Sequence, residues 1–201
     1  MFDLRTCNLL RTLYGHNSPV LSVRLDEFLQ VIYSSCQEGL VCCWSLADGS
    51  LIRTLSETAY TNAPVALSIT STYLVACSQD CRLWLWNKTS GALVTRITRE
   101  LSDDSANETS NAQSGNVWVS GILTGCEVPC LTVLNENLAV TAAFGAVQFW
   151  DMQYKVLLRE VKLETFPGAV VKLLILLDTF SVACAKGNSI YRVNFPLIKW
   201  K

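Results

Sequence analysis

Apolar residues along this chain recur every second position, the spacing that puts alternate side chains of a strand on one face. Val31 and Tyr33, Val41 and Cys43, and Leu74 and Ala76 show it. The three-to-four spacing of a helix fits no segment well. Strand-length segments come in fours. In the second such group they are expected at residues 65–69, 74–77, 82–86 and 92–97.

The groups repeat. One large apolar position returns at Phe2, Trp44, Trp86, Trp150 and Val193, at intervals of 42, 42, 64 and 43 residues. Leu9, Leu51, Leu93 and Leu157 follow seven residues after the first four anchors, and Leu13, Leu55, Ile97 and Val161 eleven after. Gly49 and Gly91 fall five after Trp44 and Trp86, in expected tight turns. Pro19, Pro64, Pro129 and Pro167 each stand ahead of a group, where the missing N–H costs least. An ordinary β-sandwich has no reason to keep this interval. A four-stranded unit repeating at about 42 residues is the period of a propeller blade.

The expected fold is therefore all-β: about four blades of four antiparallel strands in an open or partial ring, truncated at its N-terminal side. Residues 1–13 would supply the last strand of a preceding blade, with the strand itself at 9–13. Blades would follow at 14–55, 56–97, 98–161 and 162–201, the last with three strands. Residues 99–124 form a polar, acidic insertion without periodicity, read as a loop.

Composition narrows the chemistry. Of 201 residues, 50% are hydrophobic and 16% charged, which excludes wholesale disorder. A net charge of −1 offers nothing to hold a phosphate backbone, so no nucleic-acid partner is expected. Nine cysteines, an odd number set in apolar runs, suggest reduced thiols and a cytoplasmic setting. They outweigh the glycosylation patterns at Asn87 and Asn107. The apolar run at 170–177 is broken by Lys172 and falls far short of the roughly 20 residues that cross a membrane. The start of the chain has no signal-peptide core. A soluble chain is expected.

The residues that could carry chemistry are few. His16 is the one histidine, so it has no second histidine to share a metal with and no evident catalytic partner. Cys77 with Cys81, and Cys126 with Cys130, have a spacing seen in zinc sites, but the first pair brackets a strand-to-strand turn with no second pair near it in sequence. No catalytic residue, cofactor or metal is expected.

Gly15-His16, Ser34, Glu38 and Trp44 in the first complete unit, Asp80 with Trp86 in the second, and Trp150-Asp151 in the third resemble the WD-repeat family. The resemblance covers the whole chain. It implies that His16, Ser34, an acid in the turn before the tryptophan, and Trp44 form a hydrogen-bonded group that ties the blade together. Glu38 stands where that acid is usually Asp. Asp80 matches the rule. The third unit is one residue shorter in this turn, with Phe144 and Gly145 in place of the acid. In a functional role instead of this structural one, His16 would be a general base or metal ligand, and its spacing to Trp44 argues against that.

The C-terminal part carries a narrower resemblance. Residues 136–141, 148–154 and 175–178 look like the last blades of the WD-repeat propellers of sterol-regulated escort proteins. That resemblance implies a protein partner, the regulatory domain of a sterol-responsive transcription factor precursor. It also implies a place on the cytosolic face of endoplasmic reticulum and Golgi membranes, with the membrane portion outside this chain. The alternative is a substrate-recognition propeller of a ubiquitin ligase, or a scaffold. Family geometry implies that partners meet the face carrying the loops between units, which here would present Leu21, Gln37, Ala66 and Gln79.

Overall fold

In the computed structural model, the described residues are 1–55, 65–78, 82–98, 130–143, 146–162, 171–178, 181–186 and 189–194. They form fifteen strands and no helix. The first sheet holds β1 (Val20–Asp26), β2 (Val31–Cys36), β3 (Val41–Ser45) and β4 (Leu51–Leu55). The second holds β5 (Val65–Ile69), β6 (Tyr73–Ser78), β7 (Leu83–Asn87) and β8 (Leu93–Ile97). The third holds β9 (Cys130–Val133), β10 (Leu138–Ala143), β11 (Ala146–Asp151) and β12 (Val156–Lys162). The fourth has three strands among the described residues: β13 (Val171–Asp178), β14 (Ser181–Lys186) and β15 (Ser189–Asn194). Every sheet is an antiparallel meander in sequence order.

Each sheet is a wedge, and the wedges stack through both faces. Alternation decides which residue meets which neighbour. In β7, Leu83 and Leu85 point into a core shared with Leu131, Ala139 and Trp150 of the third sheet. Trp84 and Trp86, between and beside them, point the other way, onto Tyr33, Val41 and Leu55 of the first. Val147 and Phe149 of β11 meet Val182, Cys184 and Val193 of the fourth. Strands so covered on both sides read as unbroken buried runs, while the period of two survives in which face each residue serves. The innermost strands touch in the order β1, β5, β9, β13. The ring is open.

The recurring anchor is the penultimate or neighbouring residue of each third strand. Trp44, Trp86 and Trp150 are at most 2% exposed. Each sits at a bulge, where the outer strand carries one extra residue: the registers shift at Cys43/Trp44, Leu85/Trp86 and Phe149/Trp150. Removing such a side chain costs about 3–5 kcal/mol. The N-terminal segment differs from its expectation. Residues 9–13 form no strand; Phe2 and Leu9 make one isolated bridge, because no inner strands stand beside them among the described residues. The 99–124 insertion, Phe144 and Gly145, Pro64, Pro129 and Pro167 lie outside the described residues.

Candidate functional site

The first sheet brings His16, Ser34 and Trp44 together. The indole N–H of Trp44 donates to Ser34 Oγ at 2.7 Å, and His16 Nε2 lies 2.7 Å from the same oxygen. The His16 and Trp44 rings meet at a centroid distance of 5.9 Å. Gly15 makes this approach possible, since a Cβ there would lie 2.8 Å from Trp44 Cη2. Burial lowers the pKa of His16, which keeps the ring neutral. The neutral ring can accept the Ser34 hydroxyl proton at Nε2 and turn its other nitrogen toward Cys42 Sγ, 3.9 Å away. These are the bonds of a structural tie; His16 is held on three sides by its own sheet.

Glu38 stands outside this group. It is exposed, and no hydrogen bond links it to His16. The reason is local: the turn between β2 and β3 closes tightly, with Gly39 N–H donating to Cys36 O at 3.0 Å and Gly39 at φ 83°. Asp80 lies outside the described residues.

The third sheet repeats the tie with different residues. Trp150 donates to Thr141 Oγ1 at 2.8 Å, Thr141 reaches Gln148 Oε1 at 3.3 Å, and Gln148 Nε2 donates to Glu160 Oε2 at 2.9 Å. Thr141, Gln148 and Glu160 were not among the expected members. Thr141 was legible, because it lies nine residues before its tryptophan as Ser34 lies ten before Trp44, and the turn between them is one residue shorter. Asp151 has its own task. Its Oδ1 accepts from the Gln153 and Tyr154 amides at 2.8 and 2.7 Å and so shapes the turn into β12. Asn87 does the same for Thr89 and Ser90 after Trp86.

The four expected partner-facing residues part company. Leu21 is the extra residue of a bulge in β1, between Val20 and Ser22, and is half-buried. Gln37 sits beside it, its amide donating to Pro19 O at 2.9 Å. Ala66 is only 5% exposed and packs against Val75, Cys77 and Leu83. It faces the neighbouring sheet rather than the rim. Gln79 lies outside the described residues.

The opposite end of the stack is tied by polar links that span sheets. Lys88 Nζ and Asp26 Oδ2 lie 2.6 Å apart, both nearly inaccessible. Burial pushes the Asp26 carboxyl up, but the Lys88 hydrogen bond and charge, with the Leu29 and Phe28 amides, together hold it below its ordinary value. Glu136 takes hydrogen bonds from the Ser71 amide and hydroxyl and, at 3.3 Å, from the Thr72 amide. Along the inner edge, Ser22 Oγ accepts from Leu67 N–H at 3.2 Å and Ser35 Oγ donates to Val65 O at 2.7 Å, which satisfies the free edge of β5.

Among the described residues, Cys7, Cys36, Cys42 and Cys43 are free thiols. Burial, with Cys36 and Cys43 nearby, pushes Cys42 up to about 11, far from a thiolate at neutral pH. Cys77 turns its sulfur to Ser78 O at 3.3 Å. Cys81 and Cys126 lie outside the described residues. Among the described residues no three His, Cys, Asp or Glu side chains gather as metal ligands would, and no helix is long and apolar enough to cross a membrane.

Comparison with known proteins agrees with this architecture. The WD40 family (WD domain, G-beta repeat) matches residues 7–45 and 49–87. Over 98% of its length the chain is 22% identical to the sterol regulatory element-binding protein cleavage-activating protein of Xenopus laevis, and it spans 13% of that protein. The β-propeller domain of Cps50 (Swd1) from Myceliophteria thermophila superposes at a TM-score of 0.70 with 15% identity, covering 99% of this chain and 59% of that one. Two computationally designed proteins also superpose. Ika4 does so at 0.67 with 17% identity, over 94% of this chain and 99% of its own. Ika8 does so at 0.65 with 18% identity, over 92% of this chain and 48% of its own. Residues 7–45 and 49–87 match WD repeats, and a four-stranded and a three-stranded antiparallel sheet follow them in the same stack, a β-propeller arrangement.

Proposed function

We propose that this chain is a non-catalytic, protein-binding part of an escort protein. It holds the regulatory domain of a sterol-responsive transcription factor precursor on the way from the endoplasmic reticulum to the Golgi, where the factor is cleaved. The observation that carries the reading is the reach of the similarity to the Xenopus laevis protein. It runs over 98% of the chain, well past the two repeats matched by the WD40 family as a whole. The propeller works on the cytosolic side, and the membrane portion belongs to the whole protein rather than to these sheets.

The binding face is the end that carries Leu21 and Gln37. Polar groups at the other end are engaged with one another, through Asp26 and Lys88 and through Glu136 with Ser71 and Thr72, so a partner there would have to break internal bonds. Leu21 is turned out of the strand pattern by its bulge, as re-aimed contact residues often are.

The test is capture of the purified regulatory domain by the tagged chain, beside Leu21→Arg and Gln37→Arg variants whose tryptophan near-ultraviolet circular dichroism is unchanged. Capture by the parent chain, weakened about tenfold in either variant, is the expected result. No capture by a folded parent chain would overturn the escort reading. Equal capture by all three would move the binding face elsewhere.

A further inference from the structure

Arginine recurs at one position of the repeat, with one exception. Nine residues after Phe2 and Trp44 stand Arg11 and Arg53; nine after Trp86 stands Thr95. Arg11 Nη1 donates to Ala47 O at 2.8 Å and Arg53 Nη2 to Thr89 O at 3.4 Å. Each acceptor lies three residues after the next tryptophan. Both arginines lie over the turn glycine that follows, Gly49 or Gly91, where a Cβ would strike them. The junction of the second and third sheets differs on both sides. Thr95 is too short to reach across, and Lys155 replaces the glycine while keeping a left-handed backbone, at φ 61° against 73°. The carbonyl that corresponds to Ala47 O and Thr89 O is that of Gln153.

A cavity of about 200 Å³ lies in this junction, touching Thr95 and Glu136. Buried Leu85 and Met152 form its floor, and exposed Val94, Gln153 and Lys155 stand at its mouth. Its size suits one side chain: drug-sized ligands fill about 300–1,000 Å³, whereas about 150 Å³ accepts a benzene ring. By register the counterparts of Glu136 in the first and second sheets are Leu29 and Ser71. The junction has thus lost a cation and gained a carboxylate. The Ser71 amide and hydroxyl and the Thr72 amide fix that carboxylate in place. Burial pushes the Glu136 carboxyl up, but hydrogen bonds from Ser71, Thr70 and Thr72 together hold it below its ordinary value. Lys155 carries its charge on a flexible, exposed stem that can turn to solvent. The fixed charge at the cavity is therefore negative.

We infer that this cavity receives one arginine side chain of a partner protein. Its guanidinium meets the Glu136 carboxylate and the Gln153 carbonyl, and its methylenes lie on Leu85 and Met152. The chain's own arginines fill the two earlier junctions in this way. The incoming side chain enters from the mouth, because the Cβ of Lys155 closes the path that Arg53 takes over Gly91. Glu136 Oε2 accepts the Thr72 amide at a long 3.3 Å and has accepting capacity left, so the guanidinium adds to the internal links and breaks none. The contact lies away from Leu21 and Gln37 and does not depend on the escort reading.

Titration of the 201-residue chain, labelled at its methionine methyls, with N-acetyl-arginine amide tests this by NMR. Of the two methionines, Met1 and Met152, only Met152 lines the cavity. The expected result is a saturable shift of the Met152 signal with a dissociation constant of about 1 mM. The lysine and citrulline analogues, which lack the fork or its charge, should bind roughly tenfold more weakly. Glu136→Gln should weaken binding of the arginine probe about tenfold. Thr95→Arg with Lys155→Gly rebuilds the earlier junctions, and this double variant should stay folded by tryptophan circular dichroism and bind no probe. Should Glu136→Gln unfold, the double variant decides. No saturable shift in the folded parent chain overturns the inference, as does equal binding of the three probes or unchanged binding in the folded variants. Free arginine bound about tenfold more tightly than the capped form would also overturn it, by making the site one for the amino acid rather than for a partner.

Discussion

Ser34 shows how much can rest on one hydroxyl. It serves the Trp44 indole and the His16 ring at once, at 2.7 Å each. Ser34→Ala leaves the buried Trp44 indole and the half-buried His16 ring without that oxygen and should lower the unfolding free energy by about 1–3 kcal/mol, mostly through the indole, read from urea denaturation. Thr141→Ala should do the same through Trp150 in the third sheet. His16 adds a pH dependence of known sign. Its folded pKa is below the ordinary 6.5, so the unfolded chain takes up the proton first. Stability should therefore be level above about pH 6.5 and fall as the pH drops from there toward the folded pKa. His16→Asn should remove that slope from the denaturation series; an unchanged slope would assign it to other groups.

Between strands, the outer hairpins repeat one geometry with one exception. Gly49 and Gly91 adopt φ 73° in the turn between the third and fourth strands, five residues after their tryptophans. Lys155 holds the same place after Trp150 at φ 61°, a left-handed conformation that costs a residue with Cβ roughly 1–2 kcal/mol. Lys155→Gly should raise stability by about 0.5–1 kcal/mol once the greater chain entropy of glycine is subtracted. A lower melting temperature in the variant would show that Lys155 makes contacts worth more than its strain. The facing strand changes too. Arg53 covers Gly91, whereas Thr95 stands opposite Leu85 as Arg53 stands opposite Cys43, and a cavity of about 200 Å³ touching Thr95 and Lys155 remains. Much of this level is legible in the chain: the tryptophan interval and the turn glycines locate the hairpins, and the offset of Thr141 locates the second tie. The exposure of Glu38 is not legible, because the conformation of the turn between β2 and β3 rather than the type of residue 38 decides it.

Across the whole molecule, the sheets hold together through apolar faces and a small number of polar links. The Asp26–Lys88 pair joins the first and second sheets in a place that water scarcely reaches. Lys88→Met leaves the carboxylate buried alone and should cost about 3–5 kcal/mol, whereas replacing both partners by apolar residues should cost much less. Because the Asp26 carboxyl is held below its ordinary 3.8, its contribution is present above that pH and lost as the pH falls through the folded value. Acid titration of Lys88→Met should show a shallower loss over this range than the parent chain; an equal loss would place the acid sensitivity elsewhere. The repeat interval by itself determined that this chain folds into stacked four-stranded sheets, because evenly placed apolar anchors on strands with a period of two have one economical way to bury both faces. Which residues meet between sheets was decided only by the tertiary structure. Asp26 finds Lys88, Glu136 finds Ser71, and Ala66 turns inward, because the stacking angle and register of separate sheets set those neighbours, and no local spacing encodes either.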